Sequence, residues 1–275
     1  MTISVNTNTG ALIALQNLNV TNRELEGVQT RISTGYKVAN AKDNGGAFAI
    51  AQKLRGDVGA YNAVGDSLSR VQSIVDVASA AGTAISDLLV ELKEKALAAS
   101  DTSLDSTSRT ALNEDFKALR DQIASIVTNA TFNGVNLINN STASLRALAS
   151  ADGTQVLTIL DENLSLGGTV VTIAATEAIN TVTKAAAALT KINASITNLG
   201  SSLARLGTKS KALDIHATFV SKLQDATIAG IGNLVDADLA KESARLQALQ
   251  VKQQLGVQAL SIANQAPSIV LSFFQ

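Results

Sequence analysis

Two neighbouring carboxylates are the side chains in this sequence that come closest to an acid–base arrangement. Asp236 and Asp238 stand two residues apart in the run Asp-Ala-Asp. A general acid and a general base must both reach the same substrate, whereas residues two apart on a helix point in different directions. No nucleophile or metal ligand follows at a useful spacing. We therefore predict a structural role, with Asp236 as the N-cap of a following helix.

The only histidine, His216, could in principle serve a serine as general base. It lies inside a long helical pattern, and the sequence contains no G-x-S-x-G nucleophile elbow. We expect a surface or packed histidine. The sequence thus predicts no catalytic residue and no enzyme activity.

Metal and cofactor chemistry also lacks suitable residues. Cysteine is absent, which excludes disulfides, thiolate catalysis and cysteine-based zinc sites. The run Asp43-Asn44-Gly45-Gly46 has the composition of a turn and lacks the ligand spacing of an EF-hand. We predict no metal site, no cofactor-binding residue and no cofactor.

Composition limits the partners. The formal net charge of −1 and a pI near 5.9 give no electrostatic reason to expect nucleic acid. The first ten residues have neither a basic stretch nor an apolar core, so we expect no cleaved Sec-type signal peptide. No run of about 18 apolar residues indicates a membrane span, and no membrane partner is expected.

Long helices must carry most of the chain. Eighteen glycines and one proline leave few helix breakers, and aromatic residues make up only 3% of the sequence. Residues 11–32 carry a heptad pattern, which predicts a helix with a helical partner. Its two rows are Ala11, Leu18, Leu25 and Ile32, and Ala14, Thr21 and Val28.

Two further helices and a change of pattern follow. Heptad rows extend from Ile50 to Leu92, which predicts a helix of some 50 residues, about 75 Å long at 1.5 Å per residue. A second helical pattern, from Leu112 to Ala130, should fold back on it and end at a Phe132-Asn133-Gly134 turn.

The middle of the chain favours a small β element between about residues 141 and 176. Ala151-Asp152-Gly153-Thr154 predicts a hairpin turn. The segments richest in β-branched residues are Val156–Ile159 and Thr169–Ile173, which we predict to be strands. Helical spacing then returns from Ile179 to about residue 230.

The last segment, from Asp236, is apolar on two sides. One row includes Leu246, Leu249 and Leu260, and the other includes Leu255 and Ile262. A helix that is apolar on two sides must be buried on two sides. Since the N-terminal helix can cover only one of them, assembly is the expected source of the remaining cover.

Both ends of the chain, roughly residues 1–140 and 200–275, resemble bacterial flagellin. Near the N-terminus the resemblance rests on Asn6-Thr7-Asn8, Arg31-Ile32-Ser33-Thr34-Gly35, Asn40-Ala41-Lys42-Asp43 and Ala47-Phe48-Ala49-Ile50-Ala51. Near the C-terminus it rests on Asp236-Ala237-Asp238-Leu239, Gln253-Gln254-Leu255-Gly256 and Ala263-Asn264-Gln265-Ala266-Pro267. Both sets match in order and at plausible spacing.

The resemblance implies a mainly α fold, an elongated hairpin-shaped bundle of long antiparallel coiled-coil helices with a small β element in the middle. Residues 1–40 and 235–275 would be paired terminal helices in the inner filament core. Residues 41–140 and 177–234 would form the long helical bundle, and residues 141–176 a short exposed β-hairpin region. We expect a structural subunit that polymerises into the flagellar filament.

Polymerisation should depend on apolar burial at the termini, because a buried leucine contributes about 1.5–3 kcal/mol. The expected core positions are Leu12, Leu15, Leu18, Leu25, Ile32, Leu246, Leu249, Leu260, Ile262, Val270 and Phe273. The polar residues that match the family motifs are Asn6, Asn8, Arg31, Asp43, Asp236, Asp238 and Asn264.

The resemblance also implies partners and a location. The main partner is a second copy of the chain in a helical homopolymer. The others are the filament cap, hook-associated junction proteins, an export chaperone and the flagellar type III export apparatus. The protein should be secreted to the extracellular filament.

Two other functions share some of these features. A hook–filament junction protein has similar terminal helices, although such proteins match the C-terminal pattern less fully. A membrane-active helical toxin would need a basic stripe, whereas Lys241, Arg245 and Lys252 lie only in the first half of the last helix.

Overall fold

A computed structural model of the chain describes residues 7–271, with side chains up to residue 265. In the described part, the elements are α1 (Thr9–Thr34), α2 (Gly45–Ala99), α3 (Ser106–Asn129), β1 (Ser144–Leu148), β2 (Val156–Leu160), α4 (Val182–Val235) and α5 (Leu239–Leu271). The predicted mainly α fold with a small β element is confirmed.

The chain forms two compact units. Unit 1 comprises residues up to Gly56 together with those from Ala226 onward, and unit 2 comprises Asp57–Asp225. Unit 1 therefore contains α1 and α5. Unit 2 contains α3 and the two strands, and α2 and α4 contribute residues to both units.

Helix ends follow from local capping chemistry. The Asn8 side chain accepts a hydrogen bond from the Ala11 amide at the start of α1, and Gly35 ends that helix with a φ of 74°. At α5 the prediction was wrong by two residues. Asp238, not Asp236, accepts from the Ala240 and Lys241 amides. Asp236 instead pairs with Tyr36 in an isolated β-bridge.

The core of unit 2 confirms the heptad rows of the central helix. The rows bury Val64, Val71, Ala78, Ile85 and Leu92 on one line and Leu68, Val75 and Leu89 on the other. Phe116 and Ile123 of α3 and Leu199 and Leu206 of α4 belong to the same apolar cluster. In unit 1, Ile50 departs from its predicted row because it is exposed, while the next residue, Ala51, is buried.

Part of α2 is strongly apolar. Contrary to the sequence-based expectation, α2 contains an 18-residue window with a mean hydropathy of 1.4, apolar enough to cross a membrane. The same test is passed by core helices of soluble bundles. Leu68, Val75 and Leu89 of α2 bury their side chains in the protein.

The β element is an antiparallel hairpin, but only one of its strands was predicted. Strand β1 pairs with β2 in the register Ser144 to Leu160. The predicted turn at residues 151–154 connects them, and Gly153 there has a φ of 70°. Segment Thr169–Ile173, predicted as a strand, is irregular.

That error has a physical cause. Val171 and Ile173 are fully buried, so their β-branched side chains reflect packing rather than strand pairing. The backbone around them bonds to side chains of α4: Thr172 N donates to Ser195 Oγ over 2.9 Å, and Asn198 Nδ2 donates to Thr169 O over 3.1 Å.

The predicted turn after α3 is confirmed. Phe132 and Val135 exchange backbone hydrogen bonds of 2.9 and 3.0 Å. Between them, Asn133 and Gly134 have φ values of 49° and 77°. Positive φ at both central residues defines a type I′ turn, which the Asn-Gly pair favours.

Candidate interaction surface

The two terminal helices of the described region, α1 and α5, form an antiparallel pair. Three polar contacts join them at successive levels. Asn8 Nδ2 donates to Ala263 O over 2.6 Å, Gln253 Nε2 to Asn22 Oδ1 over 2.8 Å, and Arg31 Nη1 to Glu242 Oε1 over 3.4 Å. Since the α1 number rises as the α5 number falls, the helices run in opposite directions.

The contact seam follows the predicted heptad of α1. Thr21 and Val28 are buried, and the remaining seam positions on α1 are half-buried: Ala11, Ala14, Leu18, Leu25 and Ile32. On α5, Leu249 is buried, and its half-buried positions follow the same alternation of three and four: Glu242, Leu246, Gln253, Gly256, Leu260 and Ala263. This alternation is that of a two-helix coiled coil.

Small residues let the helices approach closely. A Cβ added to Gly256 would lie 3.3 Å from Leu18 Cδ1. Shallow grooves remain beside the seam. One of about 460 Å³ is lined by residues that include Leu18, Val20 and Leu255, and another of about 400 Å³ by residues that include Leu12, Leu15 and Leu260.

The ion pair at the far end of the seam is unequal. The Glu242 side chain is only 12% exposed, against 37% for Arg31. Its second oxygen, Oε2, is buried and has no hydrogen-bond partner in the described part of the chain. Arg31 therefore carries most of the compensation for a buried carboxylate.

Away from the seam, both helices expose large aliphatic side chains, which together we call the outward face of the pair. Ile262 is 69% exposed, the highest value among the large apolar residues described. The other members of this outward face are Leu12, Ile13, Leu15, Val20, Leu239, Val251, Leu255 and Val257. Single exposed apolar residues are ordinary on a protein surface, whereas so many on one helix pair indicate a surface that binds other molecules.

The predicted core positions therefore divide between two surfaces. Leu18, Leu25, Ile32, Leu246, Leu249 and Leu260 lie in the seam, whereas Leu12, Leu15 and Ile262 lie on the outward face. The Val270 side chain and the whole of Phe273 lie outside the described residues, as does Asn6.

The polar motif residues cap or join chain segments. Asp43 Oδ2 accepts from the Ala39 and Asn40 amides over 3.0 and 3.1 Å and closes the turn before α2. Asp238 caps α5, as described above. Asn264 is exposed and lines the groove that contains Leu260.

Sequence reasoning assigned no role to Asn22 or Glu242. Both meet a partner more than 200 positions away, on α5 and α1 respectively. Their one available signal is position, because each lies at or beside the heptad seam of its helix.

The residues considered for chemistry have structural contacts. His216 places Nε2 2.7 Å from the carbonyl oxygen of Ala149, and its ring centroid lies 5.9 Å from that of Phe219. Among the described residues, no three of His, Cys, Asp and Glu are grouped to hold a metal ion.

Comparison with known proteins identifies the family. The bacterial flagellin N-terminal helical region matches residues 5–143, and the bacterial flagellin C-terminal helical region matches residues 189–274. Flagellin FljM of Caulobacter vibrioides is 55% identical over 272 residues, which cover 99% of this chain and 98% of the relative. A flagellin of Brucella melitensis is 37% identical over 292 residues, with 99% of each chain covered.

A solved structure shares the fold. A putative flagellar hook-associated protein from Vibrio parahaemolyticus has a TM-score of 0.56 and 15% identity, and the match covers 70% of this chain and 100% of that one. At this identity the likeness concerns the fold alone.

Paired helices with an aliphatic outward face define a helical structural protein. The chain belongs to the bacterial flagellin family. It is a structural subunit of the flagellar filament, which serves motility. The hook–filament junction and toxin alternatives are not favoured, because the near-full-length relatives are flagellins.

Proposed function

We propose that this flagellin polymerises by burying the outward face of its α1–α5 pair against neighbouring subunits. The observation that carries the proposal is the exposure of nine large aliphatic side chains on two helices whose other sides already pack together. Full burial of an exposed side chain of this kind contributes about 1.5–3 kcal/mol, and these partly covered side chains would each contribute part of that. A few of them offset the free-energy cost of ordering a subunit in a polymer.

The parts of the chain would then take different places in the filament. Residues 1–40 and 235–275 would form its inner core, with Leu12, Leu15 and Ile262 in contact with other subunits. Residues 41–140 and 177–234 would surround this core, and residues 141–176 would face outward. Family membership supports this arrangement.

The proposal includes the remaining partners of a filament subunit. The subunit would pass through the flagellar type III export apparatus with an export chaperone, and would meet junction proteins and the filament cap at the two ends of the filament. Family membership is the support for these partners. Co-purification of the full-length chain with its chaperone before export is the test.

Seeded elongation tests the proposed surface. Ile262→Asp puts a charge on the outward face without touching the seam, so filaments are expected to stop growing from native seeds. Gln250→Asp, at an exposed polar position of the same helix, is the matched control and should elongate normally. Normal elongation of Ile262→Asp, measured by light scattering and negative-stain microscopy, would contradict the proposal.

A further inference from the structure

The hairpin of unit 2 has an outward face that is partly apolar and carries a cation. Leu148 and Leu160 are 37% and 64% exposed, whereas Ala147 and Ile159, which alternate with them, are buried. Arg146 lies on the exposed side of β1 between these leucines, opposite Thr158. We call Arg146, Leu148 and Leu160 the hairpin face.

Arg146 gives the hairpin face a positive charge. No ion pair involves Arg146 in the described part of the chain. Lys209 of α4 is exposed and lines a cavity of about 290 Å³ beside Leu160. Arg205 in the same cavity wall adds little free charge, because Glu162 accepts two hydrogen bonds from it, of 2.7 and 2.6 Å.

A complementary stripe lies on α2 of the same unit. Asp87, Val90, Glu94 and Leu97 follow one another at spacings of three and four, so they share one side of the helix. Val90 and Leu97 are 47% and 58% exposed. The carboxylates of Asp87 and Glu94 are exposed and take part in none of the described ion pairs. Glu91 lies at one edge of this side of the helix and Lys93 at the other. We call these four residues the α2 stripe.

The two surfaces match in length as well as in charge. The stripe from Asp87 to Leu97 extends about 15 Å at 1.5 Å per residue. A five-residue strand extends about 13 Å between its end residues at 3.3 Å per residue. Each surface has two aliphatic side chains and charge of one sign.

A helical filament requires two different surfaces that fit each other, because a surface that binds only itself closes a dimer. We propose that the hairpin face of one subunit docks on the α2 stripe of a second copy in the filament. The contact pairs Leu148 and Leu160 with Val90 and Leu97, and sets Arg146 against Asp87 and Glu94.

This inference rests on the proposed assembly of the terminal helices. The two surfaces are too small to hold free subunits together, since stable interfaces bury roughly 1,200–2,000 Å² in total. Once α1 and α5 fix the neighbours, the effective concentration of the second contact is high. The contact should therefore exist in filaments and not in solutions of monomer.

Disulfide trapping tests this directly, because the native chain has no cysteine. Leu97→Cys and Leu160→Cys subunits are mixed, grown from native seeds and treated with a mild oxidant. We expect disulfide-linked dimers from the mixed filaments and none from the mixed monomers. Filaments of either variant alone should give no dimers, and a Leu97→Cys/Leu160→Cys double variant should give a ladder of multimers.

The matched control replaces Leu97→Cys with Ile215→Cys, which lies at an exposed aliphatic position of α4. It should give no dimers with Leu160→Cys. Mixed filaments without dimers would overturn this contact and leave the α1–α5 surface in place. If subunits with Ile262→Asp still formed filaments, and those filaments gave the disulfide-linked dimers, the α1–α5 surface would be contradicted and this contact would stand.

Charge reversal keeps the inference testable where a cysteine variant does not assemble. Arg146→Glu and Glu94→Arg, each at an exposed position, should slow elongation roughly tenfold, since complementary charge acts mainly on association rate. Together, in one subunit, they should restore the native rate. Normal elongation of both single variants, or a double variant as slow as the singles, would overturn the pairing.

Discussion

Asn8 and Ala263, 255 positions apart in sequence, are joined by a hydrogen bond of 2.6 Å from Asn8 Nδ2 to the Ala263 carbonyl oxygen. The same side chain accepts a bond of 3.0 Å from the Ala11 amide, so one residue caps α1 and attaches it to α5. The start of the α1–α5 seam therefore depends on an amide that both donates and accepts.

This double role predicts different effects for two substitutions. Asn8→Ala removes both bonds and should destabilise the first turn of α1 by about 1–2 kcal/mol. Asn8→Asp keeps the cap but removes the donor, so it should lose less. Hydrogen exchange of the α1 amides measures both. No loss of protection in Asn8→Asp would show that the bond to Ala263 contributes nothing, and equal loss in the two variants would show that the cap contributes nothing.

The Arg31–Glu242 pair predicts a cost at the other end of the seam. Arg31→Ala leaves the mostly buried Glu242 carboxylate without its cation, and should weaken the α1–α5 pair by roughly 1–3 kcal/mol. Arg23→Ala, at an exposed position of α1, is the control and should stay within about 0.5 kcal/mol. Amide exchange of α5 is the readout, and identical exchange in the two variants would contradict the prediction.

In unit 2, Asn113 holds the irregular segment before α4. Its buried Oδ1 accepts from the Ile179 amide over 2.8 Å, so Asn113→Ala leaves a buried donor unpaired. The expected loss is about 1–3 kcal/mol in the free energy of unfolding. Asn129→Ala removes an exposed amide from the same helix and should change little. Chemical denaturation compares the two variants. A loss for Asn113→Ala as small as that for Asn129→Ala would show that the bond to Ile179 does not stabilise the fold.

Asp161 predicts an unusual pH dependence. Burial, opposed by a bond from the Asn140 amide and assisted by the Glu162 charge, raises the pKa of this carboxyl. The folded state then binds the proton more tightly than the unfolded state, so the ionised group lowers stability above its folded-state pKa. Asp161→Asn should be more stable than the native chain at pH 7, and the gain should disappear as the pH falls through that pKa.

Asp152, in the turn of the hairpin, has a pKa shifted in the opposite direction. Hydrogen bonds from the Ser150 side chain and then from Thr154 lower the pKa of its carboxyl. The ionised Asp152 carboxylate therefore stabilises the folded state above the unfolded-state pKa, and this stabilisation is lost as the pH falls through the folded-state pKa. Asp152→Asn should therefore lower stability at pH 7. The free energy of unfolding is measured against pH for Asp161→Asn and Asp152→Asn. Parallel curves for the two variants would show that their local environments do not set the two pKa shifts.

Periodic apolar residues were the reliable signal in the sequence. The heptad of α1 placed Leu18, Leu25 and Val28 at the seam, and the Asn-Gly pair placed the type I′ turn. Both depend on local geometry, because heptad spacing fixes a helix face and positive φ favours glycine. The two apolar sides of α5 also correspond to the seam and to the outward face in the structure.

Long-range polar contacts were beyond the sequence. Nothing in the residues around Asn22 indicates that its partner is Gln253, because the pairing depends on how two distant helices align. The strand predicted at Thr169–Ile173 failed for a related reason: its backbone bonds to Ser195 and Asn198, which only the folded chain brings near. The choice of Asp238 over Asp236 as helix cap depends on the bridge between Asp236 and Tyr36.

The most direct test of the outward face is its accessibility in monomer and filament. With no native cysteine, Ile262→Cys gives a single site for a maleimide reagent. We expect rapid labelling of Ile262→Cys in the monomer and strong protection in the filament, and a smaller difference between the two states for Gln250→Cys. Equal labelling of Ile262→Cys in monomer and filament would show that assembly leaves this face open, and would contradict its burial in the filament.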